Sequence, residues 1–349
     1  MFRLSPAPRG GAARVLWRAA WGLAATAALI LPPSAVAQGT WKPTKPITII
    51  VPWAAGGSTD QVTRVLAGEL EAALNQKVVV VNQPGASGSI GVKNALEAPR
   101  DGYTWGAGSA GDLGSYRALG ILDTDLLDWH LYFDVANVAV VSVNATTPYK
   151  TFDELLKAFK AKPGKITVAT AGQNSTGHLA IETLRTSLGF EYKHISYDGG
   201  NPAVIATVAG ETQACAQLAV EQVDMMRAGR LRPLAVLAEE PLKIEGLGEI
   251  PSIKAWIPGF KGGKHYFGVW IPRGTPDEIV LTMNRIWKDR IAASAALRKY
   301  AASRGAFFAP YFGLDAAERE IPNIRDAVWV YHDAGKTKMD PALLGIVRP

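Results

Sequence analysis

Four short turns in this sequence have the composition of an anion-binding site built from backbone groups. Each follows an apolar run and precedes a helical pattern: AAGGST (54–59), GAGSAG (106–111), TAGQNST (170–176) and YDGGNP (197–202). The first N–H groups of a helix lack intrahelical partners and lie at the positive end of the helix dipole, so they attract anions. Any one turn could be an ordinary connection, but four such turns around one cleft predict an anion site.

The first of these turns is the main candidate. Gly56 and Gly57 are expected to be needed for freedom in the backbone angle φ and for close approach of a ligand, because a Cβ hinders both. Ser58 is expected to cap the following helix, with Gln61 three residues later completing a capping box. His178, at the start of the helix after the third turn, is expected to bond to its own turn.

Two catalytic interpretations of the second turn stay open. GAGSAG (106–111) matches the G-x-G-x-x-G pattern of dinucleotide-binding folds, although it comes third in the strand series rather than first. Ser109, with His178 or His194 as its base, resembles a relaxed nucleophile elbow of a serine hydrolase that lacks its first glycine. The sequence offers no paired carboxylates for acid–base catalysis, so we predict a binding protein rather than an enzyme.

Cofactor and metal chemistry is not indicated. The five histidines, at positions 130, 178, 194, 265 and 332, show no H-x-x-x-H or H-x-H spacing, and the glycine-rich loop of P-loop proteins does not occur. The single cysteine, Cys215, lies in the apolar run TQACAQLAV and is predicted to be a buried small hydrophobe. We therefore predict no cofactor and no metal.

The first 37 residues have the pattern of a cleaved secretory signal peptide. Four arginines flank or precede the apolar stretch AAWGLAATAALIL, and Ala35-Val36-Ala37 offers a small-residue cleavage site. The stretch is shorter than the ~20 apolar residues of a membrane-spanning helix. Without these four arginines, the chain's 37 basic residues fall to 33, against 31 acidic ones. The sequence therefore predicts export to the periplasm and no basic surface for nucleic acid.

The elements that must position the four turns alternate along the remaining chain. Apolar runs such as ITIIVP, KVVVVN, KITVAT and RPLAVLA are separated by amphipathic patterns such as TFDELLKAFKA and HLAIETLRTSLG. This alternation predicts an α/β protein with mostly parallel sheets covered on both faces. At 349 residues the chain is too long for one small core, so two lobes are expected. Long helices are predicted over 276–303 and near 314–332.

Nearly all of the mature chain resembles the Bug family, the periplasmic substrate-binding proteins of tripartite tricarboxylate transporters. The resemblance is carried, in order, by KPITIIVPWAAGGSTDQVTRVLAGELEAALNQ, KAKPGKITVATAGQNSTGHLA, HISYDGGNPAVIATVAGETQ, AGRLRPLAVLAEE and YFGVWIPRGTPDEIV. It implies a two-domain, type II periplasmic-binding-protein fold that closes on a small organic carboxylate held in a cleft between the lobes. It also implies docking on membrane transporter subunits. We expect a monomer, and a sensor that serves a signalling receptor is the alternative.

The resemblance also implies a ligand site. In the family the first turn holds one ligand carboxylate through backbone amides and bridging water, and turns from the facing side hold the rest. Carried onto this sequence, the expected ligand-binding residues are Trp53, Ala55, Gly56, Gly57, Ser58, Thr59, Asp60, Ser109, Gly172, Asn174, Ser175, Thr176, Tyr197, Gly199 and Asn201. The first domain is expected over 38–140 and 239–349 and the second over 141–238, with hinges near 138–144 and 232–238.

The sequence departs from the family pattern at three places. Ser196-Tyr197-Asp198-Gly199 stands where the family usually has Pro-Tyr-Lys-Gly, Ala216–Val220 lacks the usual acidic residue near the end of its strand, and residues 112–134 match poorly. These positions influence which acid is bound. The extra carboxylate of Asp198 favours a ligand that carries an amine or hydroxyl beside its acid group.

Overall fold

The computed structural model describes residues 40–349, in which strands and helices alternate as the sequence predicts. The predicted signal peptide at 1–37 lies outside the described residues. The long strands form two sheets with helices packed on them, which confirms the two-lobe α/β class. We call the six-stranded sheet with its helices the first lobe, and the five-stranded sheet with its helices the second lobe.

The elements follow one another in the order in which they are numbered. The strands are β1 (Ile47–Val51), β2 (Val78–Asn82), β3 (Thr104–Ser109), β4 (Trp129–Asn137), β5 (Ala139–Asn144), β6 (Thr167–Thr170), β7 (Lys193–Ser196), β8 (Ala214–Leu218), β9 (Leu231–Val236), β10 (Leu242–Ile244), β11 (Gly248–Ile250), β12 (His265–Pro272) and β13 (Phe307–Phe308). The helices are α1 (Ser58–Leu74), α2 (Ser89–Leu96), α3 (Ala110–Leu119), α4 (Phe152–Ala161), α5 (Thr176–Leu188), α6 (Gly200–Ala209), α7 (Ala219–Arg227), α8 (Asp277–Asp289), α9 (Ala295–Arg304) and α10 (Gly313–Asp333).

Both sheets are mixed rather than mostly parallel. The first has the order β13-β4-β12-β3-β1-β2 and the second β7-β6-β8-β5-β9, while β10 and β11 form a separate hairpin. Parallel pairing is confined to β1 with β2 and β3, and to β6 with β7 and β8. The remaining pairs are antiparallel. The strand β5 enters the second sheet directly from β4 of the first through Val138, without a crossover helix.

Of the two long helices predicted near the C-terminus, one is confirmed and the other is divided into two. The long helix expected over 276–303 is two helices, α8 and α9, because the Ser294 hydroxyl accepts the Leu297 N–H and starts a new helix there. The helix expected near 314–332 is α10. None of the helices in the described part of the chain is both long and apolar enough to cross a membrane.

Each lobe encloses large aromatic side chains. Trp105, Trp270 and Trp287 are fully buried in the first lobe, within the layers between its sheet and helices. In the second lobe Phe159 of α4 is fully buried, and its ring stacks on that of Phe190 with the centroids 4.4 Å apart. These packed cores fix the two sheets, and the sheets in turn fix where their strand ends lie.

We expect Phe159→Ala to destabilise the protein by about 3–5 kcal/mol, because it removes a buried ring and leaves a cavity beside Phe190. Lys160→Ala, at the next, exposed position of the same helix, is the matched control and should change stability little. Urea unfolding followed by circular dichroism measures both. Equal unfolding midpoints for the two variants would contradict the assigned packing.

Candidate functional site

Five connections from a strand into a helix line one cavity between the lobes. They join β1 to α1, β3 to α3, β6 to α5, β7 to α6 and β8 to α7, and Phe267 of β12 closes one side. The cavity therefore lies at the carboxyl ends of strands and at the N-termini of helices. This is the position at which open α/β sheets bind ligands and at which helix N–H groups attract anions.

The first turn is held in shape by its own polar groups. Gly56 has φ +79°, in the left-handed region, and its N–H donates to the carboxylate of Asp60 at 2.9 Å. Burial raises the pKa of Asp60, but hydrogen bonds from Arg64 and Gly56 outweigh it, so the pKa lies below its ordinary value. Asp60 is therefore a charged support of the turn.

Two expectations for this turn are wrong. Gly57 has φ −73°, an extended conformation that any residue adopts, so it is not needed for φ freedom. Gly57, not Ser58, is the N-cap residue of α1, and no side chain caps the helix in the predicted way. The side-chain amide of Gln61 donates instead to the Gly56 carbonyl at 2.7 Å. Glycines 56 and 57 thus have different roles.

The first and fourth turns meet across the cleft through backbone groups. The Ala54 N–H donates to the Asp198 carbonyl at 2.9 Å. A Cβ on Gly199 would lie 3.0 Å from the Ala54 nitrogen, and a Cβ on Gly56 would lie 2.8 Å from Nδ2 of Asn201. Glycine at these positions therefore allows the two lobes to approach this closely. The side chain of Asp198 is exposed.

The second and third turns also meet across the cleft. The Ser109 hydroxyl caps α3, and the hydroxyl of Ser175 caps α5. Asn174 bridges the lobes, since its amide donates to the Asp112 carbonyl at 2.8 Å and its oxygen accepts the Ser115 hydroxyl at 2.6 Å. All four turns of the sequence analysis are thus brought to one cleft.

The predicted ligand-binding residues lie at different depths in this cleft. Those that line the cavity are Trp53, Gly57, Ser58, Thr59, Ser175 and Thr176. Those that lie in the turns beside it are Gly56, Asp60, Ser109, Gly172, Asn174, Gly199 and Asn201. Ala55 is exposed, and the Tyr197 hydroxyl donates to Glu211 at 3.2 Å.

The cavity is also lined by eight residues that the sequence analysis did not predict to bind the ligand. They are Asp112, Ala171, Gly177, Gly200, Gln217, Leu218, Glu221 and Phe267. Two of them are acidic and stand in the first turn of a helix, three residues after the N-cap residue. Acidic residues favour this position because of the helix dipole, and that pattern is the signal that could have identified them.

Glu221 contacts both lobes. Its Oε1 accepts the Ser58 N–H of α1 at 3.0 Å, and its Oε2 accepts the Leu218 N–H at the start of its own helix at 3.3 Å. One orientation of the Gln217 side-chain amide satisfies both of its groups. In this orientation its NH2 group donates to Oε2 of Glu221 at 2.8 Å, and its oxygen accepts the Ala171 N–H at 2.6 Å. The site therefore holds a carboxylate on backbone N–H groups.

The two acidic groups of the cavity both have raised pKa values. Burial raises the pKa of Asp112 well above its ordinary value, and the nearby charge of Glu221 raises it further. Burial also raises the pKa of Glu221, against the hydrogen bonds from Ser58 and Leu218, which lower it. Such a pair favours a hydrogen-bond donor or a positive charge between them.

The two catalytic interpretations of the second turn gain no support. Gly106 and Gly108 face the ring of Trp270, to which added Cβ atoms would approach within 3.1 and 2.9 Å, so these glycines serve packing. The fully buried Ser109 hydroxyl accepts the Asp112 N–H as a helix cap. The glycine pattern and the serine thus have structural explanations within the fold.

The single cysteine is buried as predicted. Burial raises the pKa of Cys215 to about 12, so its thiol stays protonated. Within residues 40–349, no group of three or more His, Cys, Asp or Glu side chains is arranged to hold a metal ion.

A buried polar cluster lies behind the third turn. His178 is fully buried, and its Nδ1 lies 2.6 Å from the Gln173 carbonyl, which confirms that it bonds to its own turn. Its ring stacks on that of His194 at 4.5 Å, and Lys336 lies between His178 and Glu182. Burial, then His194 and Lys336, lower the pKa of His178 to about 3, and burial lowers that of His194 to about 4.

Comparison with known sequences finds one family across most of the chain. The TctC model, described as "Tripartite tricarboxylate transporter family receptor", matches residues 62–307. A protein from the tcbD-tcbE intergenic region of Pseudomonas sp. (strain P51) is 33% identical over 257 residues, which are 72% of this chain and 75% of that protein. Protein BugT of Bordetella pertussis is 30% identical over 286 residues, which are 80% of this chain and 85% of BugT.

Comparison with solved structures finds the same fold. An R. palustris protein solved with adipate is 28% identical and superposes with a TM-score of 0.75 over 84% of this chain and 98% of its own. MatC from Rhodopseudomonas palustris with bound malate is 25% identical, with a TM-score of 0.74 over 82% of this chain and 99% of its own. The periplasmic binding protein BugD is 23% identical and shares the fold, with a TM-score of 0.76 over 85% of this chain and 100% of its own.

We expect the contribution of His178 and His194 to the stability of the protein to decline as the pH drops from about 6.5 towards 4. The unfolded chain takes up protons on its histidines in this range, whereas the folded state keeps His178 and His194 neutral because their pKa values are lowered. Each such group contributes roughly 1 kcal/mol per pH unit once it titrates fully in the unfolded chain. Urea unfolding at pH 7, 6 and 5 measures the decline.

His178→Asn keeps a donor for the Gln173 carbonyl and removes one titrating group, so the decline should be smaller in this variant. His332→Asn, at a partly exposed histidine, is the control. A decline that is the same in wild type and His178→Asn would contradict the proposed source of the pH dependence.

Proposed function

Because the chain belongs to the tripartite tricarboxylate transporter receptor family, as its resemblance to the Bug proteins predicted, we propose that it captures a small organic carboxylate outside the cytoplasm and delivers it to the membrane subunits of such a transporter. One observation carries the binding part of this proposal. At the start of α1, the Ser58 N–H donates at 3.0 Å to the carboxylate of Glu221, a side chain of the protein itself that lies in the interlobe cavity. The chemistry of the cleft is therefore that of carboxylate recognition.

The ligand is proposed to contact the residues that line the cavity. Trp53 supplies an apolar wall, and the N-terminal turns of α1 and α5 supply N–H groups and hydroxyls from Ser58, Thr59, Ser175 and Thr176. A micromolar dissociation constant requires about −8 kcal/mol. Hydrogen bonds to charged groups contribute roughly 1.5–3 kcal/mol each, so four or five of them, from both lobes, supply this before the cost of closure.

The remaining predicted residues are proposed to act through the shape of the turns. Gly56 and Gly199 let the lobes approach, Asp60 holds the first turn, and Asn174 links the third turn to α3. Ligand binding then couples to closure, because the ligand and these contacts favour the same arrangement of the lobes. The proteins solved with adipate and with malate share this fold and support a carboxylate as the class of ligand.

The proposal includes export and a division into domains. We propose that residues 1–37 are removed as a signal peptide and that the mature chain acts as a monomer in the periplasm. Sheet membership supports two crossings between the lobes, one at Val138 and one after Ala238, before β12 begins at His265. These crossings are the proposed hinges. The binding role and the family's receptor description support a protein without catalytic activity.

A screen by thermal shift tests the binding function. The chain from Gln38 onward should be stabilised by at least one ligand in a panel of dicarboxylates, tricarboxylates, aromatic acids and amino acids. A ligand present at 100 times its dissociation constant adds about 2.7 kcal/mol of stability. No stabilisation by any of these acids, together with turnover of ester substrates, would reject the receptor and favour a hydrolase.

A glycine substitution tests the position of the site. Gly56→Ala should weaken binding about tenfold or more, because its Cβ meets Asn201 of the other lobe only when the lobes are closed. Gly68→Ala, in the middle of α1 with open space around it, is the matched control and should stabilise the helix without changing binding. Calorimetric titration with a ligand from the screen measures both. Unchanged affinity in a folded Gly56→Ala variant would place the ligand elsewhere.

A further inference from the structure

The backbone donor at the start of α1 already binds a carboxylate, and this carboxylate belongs to the chain itself. Glu221, in the first turn of α7 in the second lobe, reaches across the cleft, and its Oε1 accepts the Ser58 N–H. Its Oε2 is held by the Leu218 N–H and by the amide of Gln217. The group that was expected to bind one ligand carboxylate thus has a partner within the protein.

The backbone at the start of α6 also lies close to the carboxylate of Glu221. A Cβ on Gly200, the first residue of α6, would lie 2.1 Å from the carboxylate carbon and from both oxygens of Glu221. A Cβ on Gly57, at the start of α1, would lie 3.6 Å from Oε1. The carboxylate therefore occupies the space between the N-termini of α1, α6 and α7, where the helix dipoles favour an anion. A ligand carboxylate cannot occupy that space as well.

The rest of the cavity supplies a second acidic group and no basic one. Asp112 is only 8% exposed, and its Oδ1 accepts the Thr176 hydroxyl at 3.5 Å. None of the described residues that line the cavity is lysine, arginine or histidine. A dicarboxylate in this cavity would bring its second carboxylate next to that of Glu221, and like charges in close proximity repel.

We propose that Glu221 determines specificity by taking the place of one ligand carboxylate, so that this receptor selects a monocarboxylate with an ammonium group over a dicarboxylate. The ligand's single carboxylate then lies on the N-terminal turn of α5, and its ammonium group faces Glu221 and Asp112. This inference rests on the proposed function and deepens it. In this inference Glu221 determines which carboxylate binds, whereas the proposed function concerns only whether a carboxylate binds.

The experiment compares matched pairs of ligands by calorimetric titration. Each pair consists of a dicarboxylate, succinate or adipate, and the ω-amino acid in which an ammonium group replaces one of its carboxylates. The protein variants are wild type, Glu221→Gln, which removes the charge, and Glu221→Ala, which also frees the Ser58 N–H. Glu240→Gln removes the same charge at an exposed position and is the control. Circular dichroism confirms that each variant is folded.

Wild type and Glu240→Gln should bind the amino acid of a pair at least tenfold more tightly than the dicarboxylate. Glu221→Gln should shift this ratio tenfold or more towards the dicarboxylate, and Glu221→Ala should shift it further. Preference of wild type for the dicarboxylate in both pairs overturns the inference even if no variant folds. An unchanged ratio in a folded Glu221 variant also overturns it. Failure of wild type to bind any carboxylate in the wider screen rejects the proposed function itself.

Discussion

The unpaired N–H groups at the starts of helices constrain this structure more than any other feature. Five helices begin at one cleft, and their first N–H groups must find acceptors in every state of the protein. Serine hydroxyls cap α3 and α5, and Glu221 serves α1 and α7. The helix α6 has Gly199 as its N-cap residue and no side-chain cap. The two sheets, the short turns and the small residues in them all follow from bringing these helix ends together.

The contacts that join the lobes are suited to opening and closing. They include hydrogen bonds of backbone and polar groups, such as Ala54 with Asp198 and Asn174 with Ser115. Each such bond is exchanged for one with water when the lobes separate, so its net contribution is small. The glycines that allow close approach add no side-chain contacts of their own. A ligand in the cavity adds to these contacts and so favours the closed state, as a receptor that closes on its ligand requires.

The fold could be predicted from the sequence because its signals are local. Apolar runs gave the strands, and Gly-rich turns gave the positions that meet at the cleft. The predictions that failed depend on geometry that the pattern does not contain. Ser58 is a good capping residue by type, but Asp60 takes the turn N–H and leaves Gly57 as the cap. Glu221 lies 163 residues from Ser58 in the chain, so no local pattern pairs them.

Contacts in the cleft explain two of the departures from the family pattern. The strand that lacks the usual acidic residue carries Gln217 near its end, and the amide of Gln217 contacts the carboxylate of Glu221, four residues later. An acidic group is thus present in this cleft, but it belongs to Glu221 in the first turn of α7, where the helix dipole favours a negative charge. From this position the carboxylate of Glu221 contacts the other lobe, which an acidic residue within the strand would not do in the same way. Asp198, which the sequence analysis expected to add a charge to the site, has an exposed side chain, and its carbonyl accepts the Ala54 N–H. The selectivity of such a cleft is therefore set by where a carboxylate is anchored more than by how many acidic residues the sequence contains.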